Sequence, residues 1–222
     1  MAHPAAEELA EAIRLLAGVS ILDYNGHASV RTAPDRLLIN GRNSVRSRAG
    51  AADLVEIDLD GRVLDGTDTP PNEAHIHVEI YRCRPDVGAV VHGHPKWSTV
   101  LSSAGVAYAP VFAQGVLVGD VPLYADPMSI NSRGAGEKVA TALGAGKAVA
   151  LRSHGIVVAG SDLLEAFALA NYLEENAERQ FLALQVGQPY VFDAREQAIC
   201  RENLFKPNLF RKVWEHAKTR AT

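Results

Sequence analysis

The segment Gly88-Ala-Val-Val-His-Gly-His94 constrains this chain most, because it reads as a buried strand carrying two histidines two positions apart. Side chains on a strand alternate between its faces, so His92 and His94 share a face and can approach one point. A second apolar stretch, Lys147 to Gly160, reads as two short strands broken at Ser153-His154-Gly155. Its histidine sits at the break, where neighbouring strands can bring His154 alongside the other two.

Around these strands the pattern alternates between helix and strand. Leu9, Ile13, Leu16 and Ala17 recur at helical spacing after Pro4 and predict a helix ending near Gly18. Asn25-Gly26 marks a turn, followed by Ala28 to Thr32 and Asp35 to Gly41 as the strands of a hairpin. Asp53 to Leu59 is a third strand, ended by Asp60-Gly61. From Asn72 to Arg84 the spacing predicts a helix with Asn72 as its N-cap, stopped before Pro85. Pro95 to Gly105 reads as a short helix, Gly119 to Ala125 as a strand, and Ser132 to Leu143 as a helix. Leu163, Ala166, Phe167, Ala170, Leu173, Ala177, Phe181 and Leu184 form one stripe on a long helix from Asp162 to Val186, a core or subunit-interface face. A last helix runs around Arg195 to Lys218. There is no internal repeat and no linker-like tract, and 222 residues suit one ordinary domain, so residues 1–222 are read as one.

The net charge of -4 gives no electrostatic reason to expect nucleic acid or an anionic membrane as partner, which leaves a small-molecule substrate. Cys83 and Cys200 are far apart and lack metal-ligand spacing, which argues against a disulfide scaffold and against a zinc-thiolate site. The first residues carry acidic side chains every few positions and do not read as a signal peptide, and no window approaches a membrane span. A cytoplasmic location is expected by elimination.

Three neutral imidazoles leave coordination positions open for water or substrate, the pattern of a catalytic metal. They accept zinc, manganese, cobalt or ferrous iron, so the residues alone do not select the ion. The competing reading makes each histidine a hydrogen-bonded core residue. Glu73, at the start of its predicted helix, reads by itself as a capping carboxylate, which the helix dipole favours in its ionised form.

The run Pro70-Pro-Asn-Glu-Ala-His-Ile-His-Val-Glu-Ile-Tyr-Arg-Cys-Arg-Pro-Asp-Val-Gly-Ala-Val-Val-His-Gly-His-Pro95, followed by Leu151-Arg-Ser-His-Gly155 and a long Ala/Leu/Glu helix, resembles the class II aldolase/adducin family. That family includes fuculose-phosphate aldolase and ribulose-phosphate 4-epimerase, and the likeness covers nearly the whole chain. It implies an α/β three-layer sandwich with a central, mainly antiparallel sheet flanked by helices. It also implies a homotetramer with active sites at subunit interfaces, one divalent ion per subunit, zinc first, on His92, His94 and His154, and Glu73 as acid/base.

In the family's sugar-phosphate aldolases, phosphate is held by a Gly-Asn turn, a Thr-Gly loop and a Ser-Ser pair before the catalytic Glu. This chain has Gly26-His27, Asn40-Gly41-Arg42 and Pro71-Asn72 there, so most of those hydroxyls are absent. Arg42, Arg46 and Arg48 follow the hairpin, and an arginine fork suits a carboxylate. Arg42, directly after Gly41, is the chosen contact, with Gly26, Gly41 and Asn72 beside it, and His27 as a second residue that binds substrate or carries a proton. The pattern looks closer to the family's decarboxylases of hydroxylated aromatic acids. An aldolase or epimerase of a sugar phosphate or hydroxy-acid remains the alternative, followed by a metal-dependent oxygenase and a non-catalytic module.

Overall fold

The computed structural model describes residues 3–220; the single-domain reading extends to residues 1, 2, 221 and 222, which lie outside the described residues. In chain order the elements are α1 (Ala6–Gly18), β1 (His27–Ala33), β2 (Arg36–Asn40), β3 (Leu54–Asp58), β4 (Val63–Asp65), α2 (Ala74–Cys83), β5 (Ala89–Gly93) and α3 (Lys96–Ser103). They continue with β6 (Leu123–Tyr124), α4 (Arg133–Leu143), β7 (Ala148–Leu151), β8 (Gly155–Gly160), α5 (Leu163–Val186), α6 (Ala194–Leu204) and α7 (Pro207–Lys218).

The strands form one eight-stranded sheet in the order β4-β3-β2-β1-β5-β8-β7-β6. Only the short β6–β7 pair is parallel; the other neighbours are antiparallel. Alternation along the strands divides the core into two layers. Ala28, Val30, Ala89, Val91, Ile156 and Val158 pack with α1, α5 and α7. Val90, Val149, Val157 and Ala159 pack with α2 and α4 on the other face. The result is the expected three-layer sandwich with a mainly antiparallel sheet. Tight packing of this kind is visible where Trp214 of α7 lies tilted against Phe167 of α5, their ring centroids 4.8 Å apart.

Several boundaries differ from the sequence reading. The helix expected at Asn72 begins at Ala74, and Glu73 rather than Asn72 occupies the N-cap without a capping hydrogen bond from its side chain. Glu73 is engaged elsewhere, which removes it from the capping role. The single terminal helix is two, because Pro207 supplies no amide hydrogen and instead begins α7. The strand expected over Gly119 to Ala125 is confined to Leu123–Tyr124, since Pro122 cannot donate to a ladder. β4 was not expected, its three residues being exposed and without alternation. The Arg84-Pro85-Asp86 segment closes α2: Arg84 donates to both Asp86 carboxylate oxygens at 2.8 and 2.6 Å and to Gly144 O at 2.7 Å. Among the described residues, no helix is long and apolar enough to cross a membrane.

Candidate metal centre

β5 lies in the middle of the sheet with β1 on one side and β8 on the other, and its register pairs His92 with His27 and with Val157. His92 is fully buried and shares the α2 side of the sheet with Val90. His94 lies just past the strand, before Pro95 turns the chain into α3. His154 sits in the turn joining β7 and β8, and its amide donates to Leu151 O at 3.2 Å. Glu73 enters from the start of α2.

One ligand atom from each of Glu73, His92, His94 and His154 lies within 4.8 Å of all the others. The sequence placed the histidines on one point, and the structure does so by an edge-to-face arrangement of His92 against both other rings and a stacked pair of His94 and His154.

The tautomers decide whether this set fits a cation. His92 Nδ1–H donates to Ile156 O at 2.9 Å, and His94 Nδ1–H donates to Asp23 Oδ1 at 2.9 Å. In the neutral form that ligates a metal an imidazole has one N–H, and with that hydrogen at Nδ1 both Nε2 atoms present lone pairs. Those two atoms are 3.2 Å apart. Two lone pairs facing each other repel unless a cation lies between them, and outer hydrogen bonds of this kind are what orients metal-binding histidines. The donor set of three imidazoles and a carboxylate therefore fits a divalent metal ion.

Glu73 divides its carboxylate between two tasks. Oε1 accepts from Ser129 Oγ at 2.8 Å and from the Ile130 amide at 2.7 Å. Oε2 lies 3.3 Å from His92 Nε2 and 3.6 Å from His154 Nε2. Partial burial raises its pKa, but the nearness of His154 and His92 and the hydrogen bond from the Ile130 amide more than reverse this and hold the carboxyl well below its ordinary range. Burial likewise pushes His92 down, toward the neutral form a metal needs.

Two glycines make the convergence possible. A Cβ on Gly93, between the two ligands of β5, would lie 2.2 Å from Ile21 O; one on Gly155 would lie 2.2 Å from Gly93 O and 2.9 Å from His94 Cδ2. Ser153 adopts a left-handed φ of 53°, rare without glycine, in the turn that presents His154.

His27 is buried beside the set, its ring centroid 4.9 Å from that of His92. Its Nδ1 meets His77 Nε2 at 2.7 Å, His77 Nδ1 meets Ser29 Oγ at 2.6 Å, and Ser29 Oγ meets Tyr81 Oη at 2.8 Å. Its Nε2 is buried without a hydrogen-bond partner. Burial first, then His77 and His92, push His27 well below its ordinary pKa, and burial holds His77 at about 3, so both rings are neutral.

Glu73, His94 and His154 open on a cleft of about 470 Å³ whose lining also includes Asn25, His27, Arg42, Arg46, Asn72, Ser129 and Ser153. Of the expected binding residues, Arg42 and Asn72 line it, whereas Gly26 and Gly41 do not. Gly26 O accepts from Arg46 Nε at 2.8 Å, and Gly41 is packed so close to Asp68 that a Cβ would lie 2.4 Å from its Oδ2. Arg48 is exposed on a single helical turn and does not line the cleft.

Sequence reasoning missed Asp23, Ser129 and the His77-Ser29-Tyr81 chain. Asp23 had a signal: it precedes Asn25-Gly26, and its Oδ1 also accepts from both of those amides at 2.9 Å, an Asx-type turn. Ser129 had none, because its loop is more than fifty residues from Glu73 in sequence.

The family model for the class II aldolase and adducin N-terminal domain matches residues 7–181. A 3,4-dihydroxyphthalate decarboxylase of Terrabacter sp. (strain DBF63) is 32% identical over 194 residues, covering 81% of this chain and 80% of that protein. An L-fuculose phosphate aldolase of Methanocaldococcus jannaschii is 30% identical over 166 residues, covering 75% of this chain and 89% of that protein. Among solved structures, L-fuculose 1-phosphate aldolase from Glaciozyma antarctica PI12 superposes with a TM-score of 0.83 at 26% identity, covering 99% of this chain and 92% of that one.

Proposed function

The chain belongs to the class II aldolase and adducin family, and on that premise we propose that it is a metal-dependent carbon–carbon lyase that decarboxylates a hydroxylated aromatic or heteroaromatic acid. The observation that carries this reading is the cleft itself, where the Glu73-His92-His94-His154 set is faced by Arg42 and Arg46.

His92, His94 and His154 would hold the divalent ion, zinc first among those that suit them. When bound, the ion acts as a Lewis acid toward adjacent substrate oxygens and stabilises the negative charge left as a carbon–carbon bond breaks. The chain's own residues supply the rest. Glu73, ionised and anchored through Oε1, takes the phenolic proton at Oε2 as the substrate seats. The ring-to-carboxylate bond then breaks, carbon dioxide leaves, and the electron pair stays on the ring carbon. Glu73 returns the proton to that carbon, so the reaction consumes one solvent proton when the product phenolate leaves. His27 presents Nε2 beside the substrate, and Arg42 and Asn72 contact it from the rim.

A second reading, aldol cleavage or epimerisation of a sugar phosphate or hydroxy-acid, is favoured by the Ser129 and Ser153 hydroxyls in the same cleft. There Glu73 would move a hydroxyl proton instead. Exposed apolar residues Leu182, Leu184, Val186, Tyr190 and Val191, near the end of α5 and beyond it, support a contact surface between copies of the chain, which we assign to a homotetramer.

The test is a mass-spectrometric assay of the metal-reconstituted protein on hydroxyphthalates, hydroxypyridine-dicarboxylates, sugar phosphates, and pyruvate with aldehydes. Carbon dioxide loss from an aromatic acid, abolished in Glu73→Gln, is expected. Turnover confined to sugar phosphates would replace this reading with the second.

A further inference from the structure

Arg46 is a buried cation with no anion to pair with. Its side chain is only 6% exposed in residue terms, yet it lines the cleft beside Glu73, His94 and His154. Nε donates to Gly26 O at 2.8 Å, and Nη1 donates to Ser44 O and, at 3.4 Å, to Arg42 O. These carbonyls fix the plane of the guanidinium without neutralising it.

Among the described residues, no carboxylate forms an ion pair with Arg46, and Nη2 makes no hydrogen bond. Asp23 and Asp68 act on it only from a distance. Both carboxylates are already engaged, Asp23 by His94 and Asp68 by the amide and side chain of Asn43, each at 2.8 Å. Burial lowers the pKa of Arg46, but a guanidinium remains charged at any ordinary pH. With Nε and Nη1 held by carbonyls and the side chain lining the cleft, Nη2 is the nitrogen of the fork left for a ligand. Because two of its three nitrogens are already fixed, an anion would find the fork preorganised.

We propose that Arg46 is the fixed anion receptor of the cleft, its Nη2 taking an oxygen of a second acidic group on the substrate, separate from the group that lies against the imidazoles. The inference rests on reading this cleft as the substrate site. Arg42, exposed at the rim and with no side-chain hydrogen bond among the described residues, is an auxiliary cation. The substrate class is a small dianion whose second charge is a carboxylate or a phosphate. That class is narrower than a hydroxylated acid, since it makes the second charge a requirement for binding.

The experiment is titration calorimetry of the zinc-loaded protein with phthalate, benzoate, glycerol 1-phosphate and glycerol, repeated on Arg46→Gln, Arg46→Lys and Arg42→Gln. Zinc content and thermal unfolding are measured for each variant. Wild type is expected to bind phthalate at least about tenfold more tightly than benzoate, as a charge-assisted hydrogen bond would give. That preference should vanish in Arg46→Gln, weaken in Arg46→Lys and fall less in Arg42→Gln than in Arg46→Gln. If Arg46→Gln does not fold, Arg46→Lys and the wild-type phthalate-to-benzoate ratio decide.

Equal binding of phthalate and benzoate, with glycerol 1-phosphate no tighter than glycerol, overturns the proposal. So does a preference lost in Arg42→Gln but kept in both Arg46 variants. A preference for glycerol 1-phosphate over glycerol that depends on Arg46 upholds the receptor and identifies phosphate as its anion. An Arg46-dependent preference in a protein that turns over no hydroxy-aromatic acid upholds Arg46 while removing the decarboxylase reading.

Discussion

His92 and His94 face each other through Nε2 atoms 3.2 Å apart, each committed to that tautomer by a hydrogen bond at its own Nδ1. The pair is held in a geometry that a cation relieves. Binding of one divalent ion per chain is therefore expected to raise the melting temperature, and a chelator to lower it again. At free metal about a hundredfold above Kd the gain is roughly 2.7 kcal/mol. Asp23→Asn keeps the side-chain shape but weakens the hold on His94, and should reduce metal affinity about 10- to 100-fold by competition with a chromogenic chelator. Unchanged affinity in that variant would remove Asp23 from the site.

Glu73→Gln tests the proton role apart from metal binding. With the three imidazoles intact, the variant should still take up one ion per chain by elemental analysis, while turnover falls on the order of a hundredfold or more. Ser129→Ala leaves one of the two donors to Oε1 and should cost less, mainly in kcat, because it loosens the carboxylate without deleting it. Loss of metal in Glu73→Gln would instead make the carboxylate a ligand first and an acid/base second.

The glycines of the two histidine turns differ from an ordinary helical glycine. Gly93→Ala places a methyl 2.2 Å from the Ile21 carbonyl, backbone that cannot swing aside, and should destabilise the protein by roughly 1–3 kcal/mol or more in urea denaturation. Gly134, in α4, has nothing within 4 Å of the same position. Gly134→Ala should therefore stabilise by about 0.5–1 kcal/mol. Equal effects would mean that the close approach at Gly93 carries no cost.

Acid should destabilise the metal-free protein through the histidines behind the site. Burial holds His77 at about 3 against an ordinary value of 6.5, and His27 is depressed in the same direction. The native state thus binds fewer protons than the unfolded chain. The stability present above about pH 6.5 is lost as pH falls from there toward 3. One such group removes about 2 kcal/mol between pH 6.5 and 5. Urea denaturation at pH 7.5 and 5 should show this loss, and His77→Gln should show a smaller one.

The sandwich was legible because β5, β7 and β8 are short apolar runs and the face of α5 is a continuous stripe, patterns that burial imposes directly on sequence. The three histidines were legible for a related reason: each occupies a strand or its end, where alternation fixes direction. The loops were not. Arg42 was favoured over Arg46 because it follows Gly41, yet the fold leaves Arg42 exposed and buries Arg46 against carbonyls from two separate turns. Contacts of that kind depend on how loops fold back, which no local period records. The same holds for Ser129 on Glu73 and for His77 on His27, where partners meet across more than forty residues of chain.

The place of β5, paired on both edges, gives the centre two different clocks. The amide of His92 lies inside a central strand and should exchange its hydrogen only when the whole molecule opens, over the longest times the fold allows. His154 hangs from a turn with a left-handed serine, and Glu73 is tethered to an exposed loop, so that side can breathe on its own. Metal and substrate can then be traded through the loops over a floor that stays still.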